Sequence, residues 1–175
     1  GSEKKTDLEL EWAIFWNLNQ KAVLQESYVN LIPTIQGGTH VSGLKTGVLE
    51  AFKEFMDSRN MFPKNVKVTS DDATDHASFV LSLKMMNAQF SGQTKERLSS
   101  RNASPFIINS TKAIISKWLH QHVETGEKLA EFIIERAQRR VKKEKTPRKR
   151  TSGTGPALPG KLADCLSQEI DRTEL

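Results

Sequence analysis

The sequence predicts an α+β domain, because strand-like alternation opens the chain and long helix-period segments close it. Leu8, Leu10, Trp12, Ile14 and Trp16 alternate with Glu9, Glu11, Ala13 and Phe15, the period-two pattern of a strand with one buried face. Two helices follow much later, from about Ser104 to His122 and from about Glu124 to Lys145. Pro147 cannot continue the second helix.

Taken in order, Gly1-Ser2 reads as an expression scar outside the fold. The first strand turns apolar on its second face at Ala13 and Phe15, which predicts burial on both sides there. Asn17 to Gln20 form a polar turn, and Ser27 to Leu31 read as an antiparallel partner strand. Ile35 to His40 make a turn that enters a helix, with Thr39 or Ser42 as its cap. From Ser42 to Ser58, Leu44, Val48, Leu49, Phe52, Phe55 and Met56 share one helical face. Residues 60–67, with Pro63, connect to a short helix, for which Ser70-Asp71-Asp72 offers an N-cap with acids in the first turn. A strand from Phe79 to Met85 and a loop from Asn87 to Lys95 precede the two long helices. Thr151 to Pro156 have the composition of a flexible linker. These boundaries give one domain over residues 3–145, a basic linker over 146–157 and the start of another domain over 158–175.

The 175 residues are 37% hydrophobic and 27% charged, enough for one soluble core. No run approaches the roughly 20 apolar residues of a membrane helix, so no membrane role is expected. The single cysteine, Cys165, permits no internal disulfide and fits a reducing cytoplasm. Four scattered histidines and one cysteine offer no metal-ligand set. The net charge of +5 is concentrated. Arg136, Arg139, Arg140, Lys142, Lys143, Lys145, Arg148, Lys149 and Arg150 stand against Glu144 alone, a strip of about +8 on a mildly acidic body. Such a strip reads either as a local contact for a polyanion such as DNA or as a solvated linker.

Three motifs stand out. Gln36-Gly37-Gly38-Thr39-His40 has glycines where the backbone bends sharply into a helix, and alone it reads as an ordinary turn. Gly92-Gln93-Thr94-Lys95 offers a free loop, two neutral hydrogen-bonding side chains and a mobile point charge, a set able to meet a terminal phosphate. It lacks the Walker A spacing, and without context it is an exposed polar loop. Leu158-Pro159-Gly160-Lys161-Leu162-Ala163-Asp164-Cys165 follows the flexible stretch.

Together with Tyr28-Val29-Asn30-Leu31-Ile32-Pro33-Thr34, these motifs in this order resemble the ATPase subunits of type IIA DNA topoisomerases over residues 6–175. Gln36, where gyrase usually has Glu, and Glu96-Arg97-Leu98-Ser99-Ser100-Arg101 resemble the topoisomerase IV branch. The resemblance implies a transducer domain with a ribosomal-protein-like fold: a mixed sheet backed by helices, a left-handed βαβ crossover, a long C-terminal helix and a flexible tail. Patterning alone would give the opposite hand. It also implies neighbours absent from this sequence: a GHKL domain that binds ATP and Mg²⁺ before it, and a TOPRIM domain of which residues 158–175 are the beginning. In that family the lysine of the Gln-Thr-Lys loop reaches the γ-phosphate, a role that falls to Lys95 with support from Gln93. Lys45 aligns with a basic position facing the cavity that admits a transported duplex. Partners implied are double-stranded DNA, the GHKL and TOPRIM domains of the same chain and the family's separate DNA-cleaving subunit in a heterotetramer, at the bacterial nucleoid. The fragment alone is expected to hold no cofactor and turn over no ATP. The alternatives are the equivalent gyrase domain, a transducer of the related chaperone or mismatch-repair ATPases, or a plain basic nucleic-acid-binding module.

Overall fold

Alternation in the first long strand decides which side is buried. Leu10 and Trp12 are buried whereas Glu11 and Ala13 are exposed, in a computed structural model that describes residues 1–5, 7–22, 24–62 and 66–145. The elements are β1 (Ser2–Lys5), β2 (Leu8–Trp16), β3 (Gln25–Val29), β4 (Ile32–Pro33), α1 (Thr39–Ser58), α2 (Ser70–Thr74), β5 (Ala77–Met85), α3 (Ser104–Gln121) and α4 (Val123–Lys145). The strands form one mixed sheet in the order β1-β2-β5-β3-β4. The α+β class and the mixed sheet backed by helices are therefore as expected.

The pairing differs from the sequence expectation. β2 and β3 are not neighbours, because β5 lies between them, antiparallel to β2 and parallel to β3. Ala77, Phe79, Leu81, Leu83 and Met85 of β5 are all buried, which suits a central strand. The segment after β2 is tied to the β5 entry, since Asn17 N–H donates to the His76 carbonyl and Ala22 N–H to the Asp75 carbonyl. Alternation reports which face a strand buries but not which strand lies beside it. β3 and β5, joined through α1 and α2, form the βαβ unit. The burial expected of Ala13 and Phe15 is also absent: Ala13 is exposed and Phe15 is 66% exposed. Ser2 takes part in β1, and Gly1 exchanges backbone hydrogen bonds with Trp12, so the two residues read as a scar belong to the sheet.

The core lies between the buried sheet face and the helices. Phe52 and Phe55 of α1, Leu81 and Leu83 of β5, Ile107 and Leu119 of α3 and Ile133 of α4 are almost fully buried. Each such side chain contributes about 1.5–3 kcal/mol. Trp16 packs edge-on against Phe52, and its indole N–H donates to the Ala73 carbonyl at 3.0 Å. Gly47 lets α1 approach α3 closely, since a Cβ there would stand 2.8 Å from the Ile108 carbonyl oxygen. The short helix α2 begins at a capping box in which Thr69, not Ser70, is the cap. The Asp72 carboxylate accepts from Thr69 N–H at 2.9 Å, and the Thr69 hydroxyl accepts from Asp72 N–H.

Candidate functional site

Two motifs far apart in the sequence meet in one small structure. Residues 89–91 and 97–99 form a narrow antiparallel hairpin, with Ser91 N–H donating to the Arg97 carbonyl at 2.8 Å and Ser99 N–H to the Gln89 carbonyl at 2.9 Å. The hairpin closes a five-residue tip, Gly92 to Glu96. Gly92 (φ +87°) and Lys95 (φ +56°) both adopt left-handed backbone, which turns the chain back within so few residues. Gln93, Thr94 and Lys95 are all exposed. Lys95 is not glycine, asparagine or aspartate, so its conformation costs about 1 kcal/mol and is held by its surroundings.

Those surroundings are the glycine turn. The outer edge of the second hairpin arm is paired in parallel with residues 36–38: Gln36 N–H donates to the Glu96 carbonyl at 3.0 Å and Leu98 N–H to the Gly37 carbonyl at 3.0 Å. Thr39 N–H, at the first turn of α1, donates to the Leu98 carbonyl at 3.1 Å. Gly38 (φ +137°) makes the approach feasible, because a Cβ there would lie 2.3 Å from the Leu98 carbonyl oxygen. The Gln36 amide adds a side-chain bond to the Glu96 carboxylate at 2.6 Å. The cap expected from Thr39 or Ser42 is absent. Gly38 occupies the cap position without a side-chain bond, and the Thr39 hydroxyl donates instead to the Ser100 carbonyl at 2.7 Å. The glycine turn thus fixes the base of the Gln-Thr-Lys tip to the start of a 20-residue helix.

His40, the next residue, is fully buried. Thr34 Oγ1 donates to the Ser27 carbonyl at 2.9 Å and accepts from His40 Nε2 at 3.0 Å, which leaves Nδ1 without a partner among the described residues. Burial drops its pKa to about 4, so the imidazole is neutral near pH 7. It is a structural histidine beneath the turn.

Lys45, on α1, is half-buried with its ammonium 3.7 Å from Asp71 of α2. Two arginines of the basic strip meet α2 and its C-cap as well. Arg140 donates to both Asp72 oxygens, at 3.1 and 2.8 Å, and to the Lys67 carbonyl. Arg136 donates to Asp75 at 2.6 Å, and its guanidinium lies over the Phe132 ring. Arg139 pairs with Glu135 one turn back. Burial pushes the Asp72 carboxyl up, but hydrogen bonds from Arg140 and Thr69 outweigh it and hold the group below the usual carboxylate range. Arg136 and Arg140 are thus engaged within the fold, Arg139 pairs along its own helix at the exposed surface, and Lys142 also has a partner. Lys143 is exposed. Arg148, Lys149 and Arg150, and the motif from Leu158 to Cys165, lie outside the described residues.

Sequence reading missed the acids that receive the strip, because Asp72 looks like an ordinary first-turn acid and Asp75 only follows the short helix as its C-cap. It noted Gln36 and Glu96 separately, and nothing local announces that they touch.

The DNA gyrase B family model matches residues 1–149. The B subunit of DNA topoisomerase 4 from Haemophilus influenzae is 51% identical over 175 residues, covering 100% of this chain and 28% of that protein. The Escherichia coli (strain K12) protein of the same name is 49% identical over 166 residues, covering 95% of this chain and 26% of its own. The chain spans about a quarter of the length of these curated relatives. The topoisomerase IV ATP binding domain of Francisella tularensis, solved with a small-molecule inhibitor, superposes with a TM-score of 0.75 at 35% identity, over 81% of this chain and 39% of that one. The 43K ATPase domain of Thermus thermophilus gyrase B, at 21% identity and a TM-score of 0.73 over 82% of this chain and 38% of that one, shares the fold. With its glycine turn clamped to the Gln-Thr-Lys hairpin and a family match over most of its length, this chain belongs to the DNA gyrase B family.

Proposed function

We propose that this chain is the transducer domain of a type IIA DNA topoisomerase of the topoisomerase IV kind. It links ATP binding and hydrolysis in a preceding GHKL domain to DNA strand passage, the decatenation and relaxation of duplexes. The observation that carries the reading is the exposed Gln93–Lys95 tip on a hairpin whose base is bonded to the start of α1. A lysine on an exposed, braced tip can meet a terminal phosphate held by another domain, and Gln93 supplies a neutral donor beside it. These two side chains alone do not form a nucleotide pocket, so ATP and Mg²⁺ belong to the neighbouring domain. The bound nucleotide supplies the phosphate charge and the energy of its hydrolysis. Lys95 stabilises the charge that develops there, and loss of the contact frees the two domains to rotate. Because the tip is bonded to α1, a displacement of Lys95 bears directly on that helix.

Double-stranded DNA, the TOPRIM domain beginning in residues 158–175, the separate DNA-cleaving subunit of the heterotetramer, and a cytoplasmic, nucleoid-associated location complete the proposal. DNA contact is assigned to Lys45 and to the outer part of the strip: Arg139, Lys142, Lys143, Arg148, Lys149 and Arg150. Arg136 and Arg140 commit their charge to Asp75 and Asp72, which weakens the reading of this chain as a plain nucleic-acid-binding module.

Decatenation by the complete ATPase chain reconstituted with its DNA-cleaving partner tests the proposal. Lys95→Ala should slow ATP-dependent decatenation by roughly 10²- to 10³-fold, the loss typical of one preorganised electrostatic contact. DNA cleavage in the absence of ATP should be unchanged. Decatenation at the wild-type rate would remove Lys95 from the coupling.

A further inference from the structure

We infer that Gln36 and Glu96 are positioning residues for Lys95, a paired amide and carboxylate that set where the lysine tip stands. The inference rests on the reading of Lys95 as the phosphate contact. Glu96 follows Lys95 directly and is bonded to Gln36 twice, once through its backbone carbonyl at 3.0 Å and once through its carboxylate at 2.6 Å. The backbone bond fixes the height of the arm. The side-chain bond fixes the orientation of the peptide unit from which the left-handed Lys95 departs. On the other side of Lys95 there is little to do this, because Gly92 has nothing within 4 Å of its would-be Cβ and residues 92–94 are exposed. Among the described residues, the bonds next to Lys95 that tie the tip to the glycine turn come from its C-terminal neighbour.

The chemistry of the pair matters. A carboxylate and a neutral amide attract through a charge-assisted bond, whereas two carboxylates at that spacing repel. The pair is exposed, so it adds little to global stability. Its effect falls on geometry, where misplacement of a reacting group by about 1 Å can cost up to about 10²-fold in rate.

The test uses the complete ATPase chain, with two readouts. In ATP turnover, Gln36→Glu should lower kcat roughly tenfold with little change in KM. The reciprocal variant Gln36→Glu/Glu96→Gln, which restores one amide facing one carboxylate, should return kcat to within about twofold of wild type. Combined with Lys95→Ala, Gln36→Glu should have no further effect, since a positioning residue acts only through the group it positions. In amide hydrogen exchange without nucleotide, Gln36→Glu should speed exchange at Leu98, whose N–H is bonded to Gly37, and the reciprocal variant should reverse it. Unchanged exchange in Gln36→Glu would overturn the clamp itself. Normal turnover in Gln36→Glu alongside a large loss in Lys95→Ala would overturn the positioning role and leave the lysine reading intact. A reciprocal variant no better than Gln36→Glu would also overturn it. Normal turnover in Lys95→Ala, with exchange behaving as expected, would instead fault the lysine reading.

Discussion

The hairpin of residues 89–99 and the basic half of α4 both carry polar side chains, yet they use them in opposite ways. The hairpin fixes its backbone and leaves Gln93, Thr94 and Lys95 exposed, each of its arms held by hydrogen bonds of 2.8–3.1 Å. α4 does the reverse, folding Arg136 and Arg140 back onto Asp75 and Asp72 at 2.6 and 2.8 Å. Charge density in a sequence is therefore a poor guide to free charge, while a single lysine on a braced loop can be available for a ligand.

The sharpest way to break this contrast is at the brace. Gly38→Ala combines a clash with the Leu98 carbonyl and a positive φ, each worth about 1–3 kcal/mol, so urea unfolding should report a loss of about 4 kcal/mol. A loss below about 1 kcal/mol would mean that the glycine turn and the hairpin separate easily. The next effect is a pH dependence beneath the same turn. The folded-state pKa of His40, about 4, lies below its ordinary 6.5, so unfolding takes up a proton as the pH falls. Its contribution is complete above pH 6.5 and declines until about pH 4, by about 3 kcal/mol. His40→Gln should flatten the stability profile over that window, and an equally steep profile in the variant would show that another group carries it.

A smaller effect separates the two halves of the basic strip. Arg140→Ala leaves the largely buried Asp72 without its main partner and should cost about 2 kcal/mol, less than a deeply buried pair because Arg140 is a third exposed. It should leave DNA affinity nearly unchanged. The strip should bind unrelated 30-base-pair duplexes weakly and equally, with log K falling against log salt at a slope of roughly −4. Neutralising Arg148, Lys149 and Arg150 together should reduce that slope to roughly −1. Fluorescence anisotropy at several salt concentrations measures it. An Arg140→Ala variant that lost salt dependence without losing stability would reverse the assignment.

What the sequence made legible follows from the range of the interactions. The strand at Leu8–Trp16, the face of α1 and the extents of α3 and α4 were readable because alternation and helical period are local signals. The place of β5 between β2 and β3 was not, since neighbour choice is a long-range matter. Phe15 misled because an apolar side chain on a strand signals burial only when another layer covers it. At the site, the composition of the Gln93–Lys95 tip was visible. The clamp from Gln36 and Gly38 was not, because it joins segments far apart in the chain through backbone groups that every residue shares.

The central claim is that Lys95 acts on bound nucleotide from a second domain without helping to build the pocket. Steady-state ATP turnover and equilibrium binding of a non-hydrolysable analogue, compared in the complete ATPase chain with and without Lys95→Ala, test it most directly. A roughly 10²- to 10³-fold lower kcat is expected, with binding weakened far less. Near-normal turnover, or a loss confined to binding, would contradict it.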